Sequence, residues 1–132
     1  MNEKKGLRAI IATNNKNFIG LNGELPWRSK EDLKHFKEMT MGCKLLVGYT
    51  TAQKLPPLKG REIIVDDETK QIDYSQIDWC CGGKYTYEKF CHLFTELHVS
   101  IIDDDTIGDT TFPELENLSD DCVIHYYKFN KD

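Results

Sequence analysis

The sequence predicts an α/β fold: a single domain spanning residues 1–132, in three layers, whose mainly parallel central sheet is covered by helices on both faces. Three observations point there. Short apolar runs recur along the chain and are nearly continuous rather than alternating, as in strands buried on both sides. Helical patterns lie between several of these runs, as parallel crossovers require. The final run alternates, which marks a more exposed edge strand, expected to be antiparallel.

In chain order the strand candidates are LRAIIAT (7–13), KLLVG (44–48), EIIV (62–65), DWCC (78–81), LHVSII (97–102) and CVIHYYKFN (122–130). Helical spacing of about 100° per residue groups Leu33, Phe36, Met39 and Thr40 in one arc predicted to face the core. Lys30, Glu31, Lys34, His35, Lys37 and Glu38 fall outside it. A second helical pattern, Tyr87, Phe90, Cys91 and Phe94, follows CCGG directly. The polar stretch 66–78 reads as a connector, and neither repeats nor low-complexity segments interrupt the chain.

Composition narrows the function classes. Hydrophobic content of 39% with 30% charged residues fits a soluble globular protein. No apolar run is long enough to span a membrane, and the start, MNEKKGLRAIIAT, does not read as a signal peptide. A net charge of −5 argues against general nucleic-acid binding. The five cysteines show no zinc-type spacing and read as reduced residues of a cytoplasmic protein, so no metal site is expected.

Asp32 is the unusual residue, because it falls inside the arc of α-helical positions predicted to face the core. Ser29 three residues earlier gives a capping-box spacing, in which both side chains satisfy free backbone N–H groups of the first turn. Capping does not require an inward position, however, and a desolvated carboxylate is costly unless it is hydrogen-bonded or faces a cavity. Asp32 is therefore also a candidate pocket acid with a raised pKa. Glycine turns follow three apolar runs, in LLVGYTT, LKGREIIV and WCCGGKYTYEKF. Such turns let a phosphate approach backbone N–H groups at a helix start, though many serve tight turns alone. The segment IGLNGELPW (19–27) has the composition of a mobile loop over a site, with Trp27 equally suited to anchoring the core.

Together and in this order, IIATNNKNFIGLNGELPWRSKEDLKHFKEMT, LLVGYTT, LPPLKGREIIV, CCGGKYTYEKF and LHVSIIDDDTIGDTTFPEL resemble the dihydrofolate reductase family. The likeness covers most of residues 7–115. It implies a dihydrofolate-reductase-like fold and reduction of 7,8-dihydrofolate to tetrahydrofolate by hydride transfer from NADPH, with NADH possible. Asp32 would be the acid that binds the pterin ring and promotes its protonation, with Trp27 and Ser100 as its catalytic companions. Ile10, Ala12, Leu33, Phe36 and Leu55 would line the folate pocket, Leu25 and Trp27 would belong to the loop beside it, and Arg61 would take the glutamyl carboxylate. Cys81 and Tyr87 would flank the nicotinamide, Thr51, Gly82 and Gly83 would meet the pyrophosphate, and Gly20 and Asn22 would stand at the loop entrance. Ala12, Ile19, Gly48, Thr50, Lys84 and Tyr85 complete the implied cofactor set. The implied partners are dihydrofolate and antifolate-like small molecules, bound by a cytoplasmic monomer without nucleic acid or membrane.

The chain also departs from that pattern. Tyr49 stands where the family usually has an arginine for the 2′-phosphate of NADPH, and Ala52 replaces an aromatic residue. Residues 66–78 are too few for the usual strand and helix of the adenosine region, with Lys54 and Lys84 as possible compensating cations. Beyond Leu115 one strand replaces a hairpin. The alternative readings are a non-catalytic pterin-binding or interaction protein with a degraded cofactor site, and a reductase acting on another pterin or a pyrimidine intermediate.

Overall fold

A computed structural model describes residues 6–69 and 71–132. Met1 to Lys5, the first part of the segment read for a signal peptide, and Lys70 of the connector lie outside the described residues. The strands are β1 (Leu7–Asn14), β2 (Phe18–Gly20), β3 (Lys44–Gly48), β4 (Glu62–Asp66), β5 (Trp79–Cys80), β6 (Phe94–Asp103), β7 (Thr110–Thr111) and β8 (Val123–Asn130). The helices are α1 (Lys30–Thr40), α2 (Tyr49–Lys54) and α3 (Lys84–Phe90). The main sheet has six strands in the order β4-β3-β5-β1-β6-β8. All its pairings are parallel.

The two sheet faces carry separate cores, which makes the three layers. On one face Leu7, Ala9, Ile11, Leu97 and Val99 pack with Tyr87 and Phe90 of α3. On the other, Ile10, Leu45, Val47 and Trp79 pack with Phe36 and Met39 of α1. Strand alternation divides β1 between these clusters, so its continuous apolar run is a consequence of burial on both sides. Among its described residues, connector 66–78 contains one short 3-10 turn, Tyr74–Gln76, and Ile72, Tyr74 and Ile77 join the first core.

Two expectations are corrected. β8 runs parallel to β6, with Glu96 opposite Val123 and Asp103 opposite Asn130. The chain crosses back over residues 104–122 before β8 begins, and that return sets the parallel direction. The alternation in β8 reflects its place at the sheet edge, which is independent of strand direction. Antiparallel pairing occurs instead in the small β2–β7 ribbon, Phe18 opposite Thr111 and Gly20 opposite Thr110, both too short to be visible in the sequence. The second correction is in α1: Leu33 is 59% exposed rather than part of the core. His35, placed on the solvent side, instead lies with its ring 4.3 Å from that of Tyr127.

A buried asparagine fixes the ends of these strands. Asn14 Nδ2 donates to Asp104 Oδ2 at 3.0 Å and to the Thr106 carbonyl at 2.8 Å. Its Oδ1 accepts from the backbone N–H of Lys16 at 3.1 Å and of Phe18 at 3.0 Å. One side chain thus joins the end of β1 to the start of β2 and to the chain leaving β6. Asn14→Ala strands the buried partners of these bonds and is expected to lower unfolding free energy by about 2–4 kcal/mol, read by urea denaturation. A loss within about 0.5 kcal/mol would place Asn14 among ordinary surface positions.

Candidate active site

The site is built where the sheet meets the start of α1 and the glycine turns after β3 and β5. Ser29 caps α1, its hydroxyl accepting from the Asp32 N–H at 3.2 Å and donating to the Asn130 carbonyl at 2.6 Å. Half of the anticipated capping box therefore forms. The Asp32 carboxylate turns inward and is bonded by the side chain of Ser100 on β6. Asp32 is 7% exposed, and burial raises its pKa above the ordinary 3.8, opposed by the Ser100 hydrogen bond and the nearby His35. The Ser100 strand position is directly opposite Ala12 of β1.

Ile10, Phe36 and Leu55 belong to the core cluster on this side of the sheet, and Cys81 and Ala52 pack against the same group. The exposure of Leu33 beside this cluster leaves an apolar side chain on the open side of α1. Arg61 reaches back to Thr40 of α1, Nη1 to Oγ1 at 3.5 Å, and donates from Nε to the Lys59 carbonyl at 3.1 Å. Trp27 is 6% exposed, with its indole N–H buried and without a hydrogen-bond partner. It is the anchored end of the 19–27 segment, whereas Leu25 is 47% exposed.

The glycine turns form the second part of the site. The Gly48 N–H donates to the Gly82 carbonyl at 2.7 Å, bringing the ends of β3 and β5 together. The peptide between Gly82 and Gly83 is cis, and Gly82 has φ of 106°, a region that disfavours side chains. A Cβ at Gly83 would lie 2.8 Å from Thr51 Oγ1, and one at Gly48 would collide with Thr86 Oγ1. Tyr87 donates its hydroxyl to the Ile10 carbonyl at 2.6 Å, pinning α3 to β1. A cleft of about 380 Å³ is lined by Gly48, Tyr49, Thr50, Thr51, Gly83, Lys84 and Tyr85, together with Asp66, Asp67 and Glu68. Its bare backbone and hydroxyls suit a phosphate diester. The acids at its far side do not suit an additional phosphate, although Lys89 pairs with Asp66 at 3.0 Å and Glu68 at 3.7 Å.

Between these parts, residues 19–24 are held in place. Asp109, not singled out by the sequence, donates its N–H to the Gly20 carbonyl at 2.9 Å and accepts from the Asn22 N–H at 2.9 Å. Lys54 Nζ lies 3.4 Å from the Asn22 carbonyl, so this cation serves the loop and not the cleft. Lys84 lines the cleft while donating to Thr111 Oγ1 at 2.8 Å. Ile19, in β2, packs towards the other core. Another concavity, about 780 Å³ between β6, β8 and residues 112–118, contains none of the predicted site residues and lies on the face opposite Asp32.

These features define an α/β protein with a glycine- and hydroxyl-lined cleft at the carboxyl ends of its strands and, beside it, an inward carboxylate at an apolar cluster. The family model for dihydrofolate reductase matches residues 6–80. Dihydrofolate reductase type 9 of Escherichia coli is 30% identical over 132 residues, covering 79% of this chain and 74% of that protein. Dihydrofolate reductase of Mycoplasma genitalium is 29% identical, covering 94% of each. The solved structure of dihydrofolate reductase from Enterococcus faecalis complexed with NADP(H) and RAB-propyl superposes with a TM-score of 0.74 at 27% identity, covering 88% of this chain and 82% of that one. The chain belongs to the dihydrofolate reductase family.

The inward carboxylate has a thermodynamic signature. The folded pKa of Asp32 is raised, so the folded state holds this proton more tightly than the unfolded chain. The resulting stabilisation is complete below the ordinary value of 3.8 and is lost as pH rises through the folded value. At neutral pH the ionised group thus costs stability. Asp32→Asn, which keeps the volume and an acceptor for Ser100, is expected to melt at a higher temperature than the parent at pH 7. Calorimetry should show that gap shrinking as the pH approaches 4; an unchanged gap would mean that ionisation of Asp32 is not its source.

Proposed function

We propose that this protein reduces 7,8-dihydrofolate to 5,6,7,8-tetrahydrofolate with a nicotinamide cofactor. The observation carrying this reading is the buried Asp32 carboxylate, whose Ser100 partner lies directly across from Ala12 in the strand that leads to the site. A bound nicotinamide supplies the hydride. Asp32 accepts hydrogen bonds from the pterin N3–H and 2-amino group and stabilises the ring as it gains a proton, in a pocket where low polarity strengthens charge interactions. Ser100 holds the carboxylate, and Trp27 offers its unpaired indole N–H beside the same loop. Ile10, Phe36, Leu55 and the exposed Leu33 grip the apolar body of the substrate, while Arg61 takes its carboxylate tail by its planar fork.

Gly48, Thr51, Gly82 and Gly83 receive the pyrophosphate of the cofactor, with Thr50, Lys84 and Tyr85 around it and Cys81 and Tyr87 towards the nicotinamide. Support for a weak preference between NADPH and NADH comes from the cleft itself. Tyr49 and three acids share its wall, so a 2′-phosphate meets repulsion where a free ribose hydroxyl meets acceptors.

Oxidation of NADPH, followed with and without dihydrofolate, tests the activity directly; oxidation that does not depend on dihydrofolate would leave the fold with a different role. Asp32→Asn is expected to slow dihydrofolate reduction by about 10²–10⁴-fold at neutral pH, with recovery in acid, where solvent supplies the protonated substrate. Tyr49→Arg is expected to tighten NADPH roughly tenfold through a charge-assisted contact, leaving NADH nearly unchanged. Equal gains for both cofactors in fluorescence titrations would remove the 2′-phosphate from this part of the cleft.

A further inference from the structure

Away from the proposed active site, β6 and β8 bring three metal-ligating side chains together. His98 and His125 are directly opposite each other in the parallel register, with their rings stacked 4.3 Å apart at 11°. Both aim Nε2 at one carboxylate oxygen of Glu96, at 3.0 Å from His98 and 3.6 Å from His125. The three ligand atoms lie within 4.8 Å of one another. A tetrahedral zinc ion with bonds of about 2.0–2.2 Å separates its ligand atoms by about 3.3–3.5 Å. Two of the spacings bracket that distance and the third is no more than 4.8 Å, so rotation of the half-exposed Glu96 and His125 side chains would close the set around an ion.

We propose that Glu96, His98 and His125 form a binding site for a borderline divalent transition metal of the zinc type, clamping the edge strand β8 to β6. Two neutral imidazoles and one carboxylate match the ligand preference of such ions and leave a coordination position for water. The surroundings fit this role. Tyr127 Oη lies 2.7 Å from His98 Nδ1, placed to accept the Nδ1–H of the tautomer whose Nε2 lone pair binds a metal. Trp79 packs its ring edge-on to His98, which fixes the imidazole plane. His98 is buried, so its imidazole is held in one place beneath the two half-exposed ligands. Glu96 and His125 remain 40% and 42% exposed at their side chains, which gives the ion a way in. Two residues further along β6 is Ser100, the partner of Asp32, so the clamp would brace the strand that supports the candidate catalytic acid.

Cobalt(II) is the probe, because its visible absorption reports coordination directly, with zinc as competitor and thermal unfolding as a second readout. The full chain is expected to take up one equivalent of cobalt, release it to zinc, and melt at a higher temperature with zinc present. Glu96→Gln and His125→Ala alter half-exposed side chains; with native circular dichroism, each should weaken cobalt binding at least tenfold and abolish the zinc-induced shift in melting. Tyr127→Phe should weaken binding by about 10–100-fold as an orienting partner is lost. Cys122→Ser should bind as the parent does. Cobalt binding unchanged in both ligand variants, thiolate bands lost with Cys122, or failure of the parent to bind would each overturn the site.

Discussion

An inward carboxylate at the start of a helix requires that the first turn be held against the sheet, and much of this structure answers that requirement. Asp32 can stay desolvated only because Ser100 meets it from β6 and because the turn around it is fixed from several sides. The Ser29 hydroxyl joins that turn to the Asn130 carbonyl, and the Asn130 N–H returns a bond to Glu31 Oε2 at 2.9 Å. Asp132 completes the attachment by accepting from the Lys30 N–H at 2.9 Å and donating to the Arg28 carbonyl at 2.7 Å. The free N–H groups of α1 are thereby met by the end of β8 as well as by the cap residue. The edge strand is therefore part of the scaffold of the site, though it contributes none of the predicted pocket residues.

The direction of β8 follows from the same geometry. A parallel strand beside β6 delivers its carboxyl end to the amino end of α1, where Asn130 and Asp132 are used. An antiparallel strand in that place would bring its first residues there instead. The parallel arrangement leaves the opposite face of β6 and β8 partly open, with Tyr126 67% and Ile124 41% exposed beside Leu97, Val99 and Ile101. Burial on the α1 face and openness on the other explain why β8 alternates in sequence although it pairs in parallel.

What the sequence made legible was the part governed by local periodicity and by glycine. The strands that became β1, β3, β4, β5 and β6 were readable because burial on both faces imposes continuous apolar runs. Asp32 stood out because helical spacing placed a charge among Phe36, Met39 and Thr40. The same spacing misplaced Leu33 and His35, since a helix wheel gives an angle and not what stands opposite: solvent for one, the Tyr127 and Phe129 rings for the other. Asp109 and Asn14 were invisible for a related reason. Their work is to join segments distant in the chain, and nothing local distinguishes them from other polar residues of turns. The grouping of Glu96, His98 and His125 likewise exists only through strand register, so ligand spacing along the chain gave no sign of it.

The two halves of the candidate site differ in how closely they are tied to the core. Asp32, Phe36 and Ile10 depend on central strands and on α1, so a change among them disturbs the core that holds the sheet together. The cleft wall at Tyr49, Asp66, Asp67 and Glu68 lies by β4, at the other sheet edge, where residues 66–78 return to β5 with only a 3-10 turn. Ile72, Tyr74 and Ile77 keep the core closed beneath that short path. The short path thus bounds the cleft without opening the interior. Gly48, Gly82 and Gly83 sit between these regimes: their backbone belongs to the sheet ends, and a side chain would collide with Thr86 at Gly48 and Thr51 at Gly83, while at Gly82 the positive φ disfavours it, whether or not a ligand is present. The glycine turns are thus fixed by packing, whatever the charge of the adjoining wall.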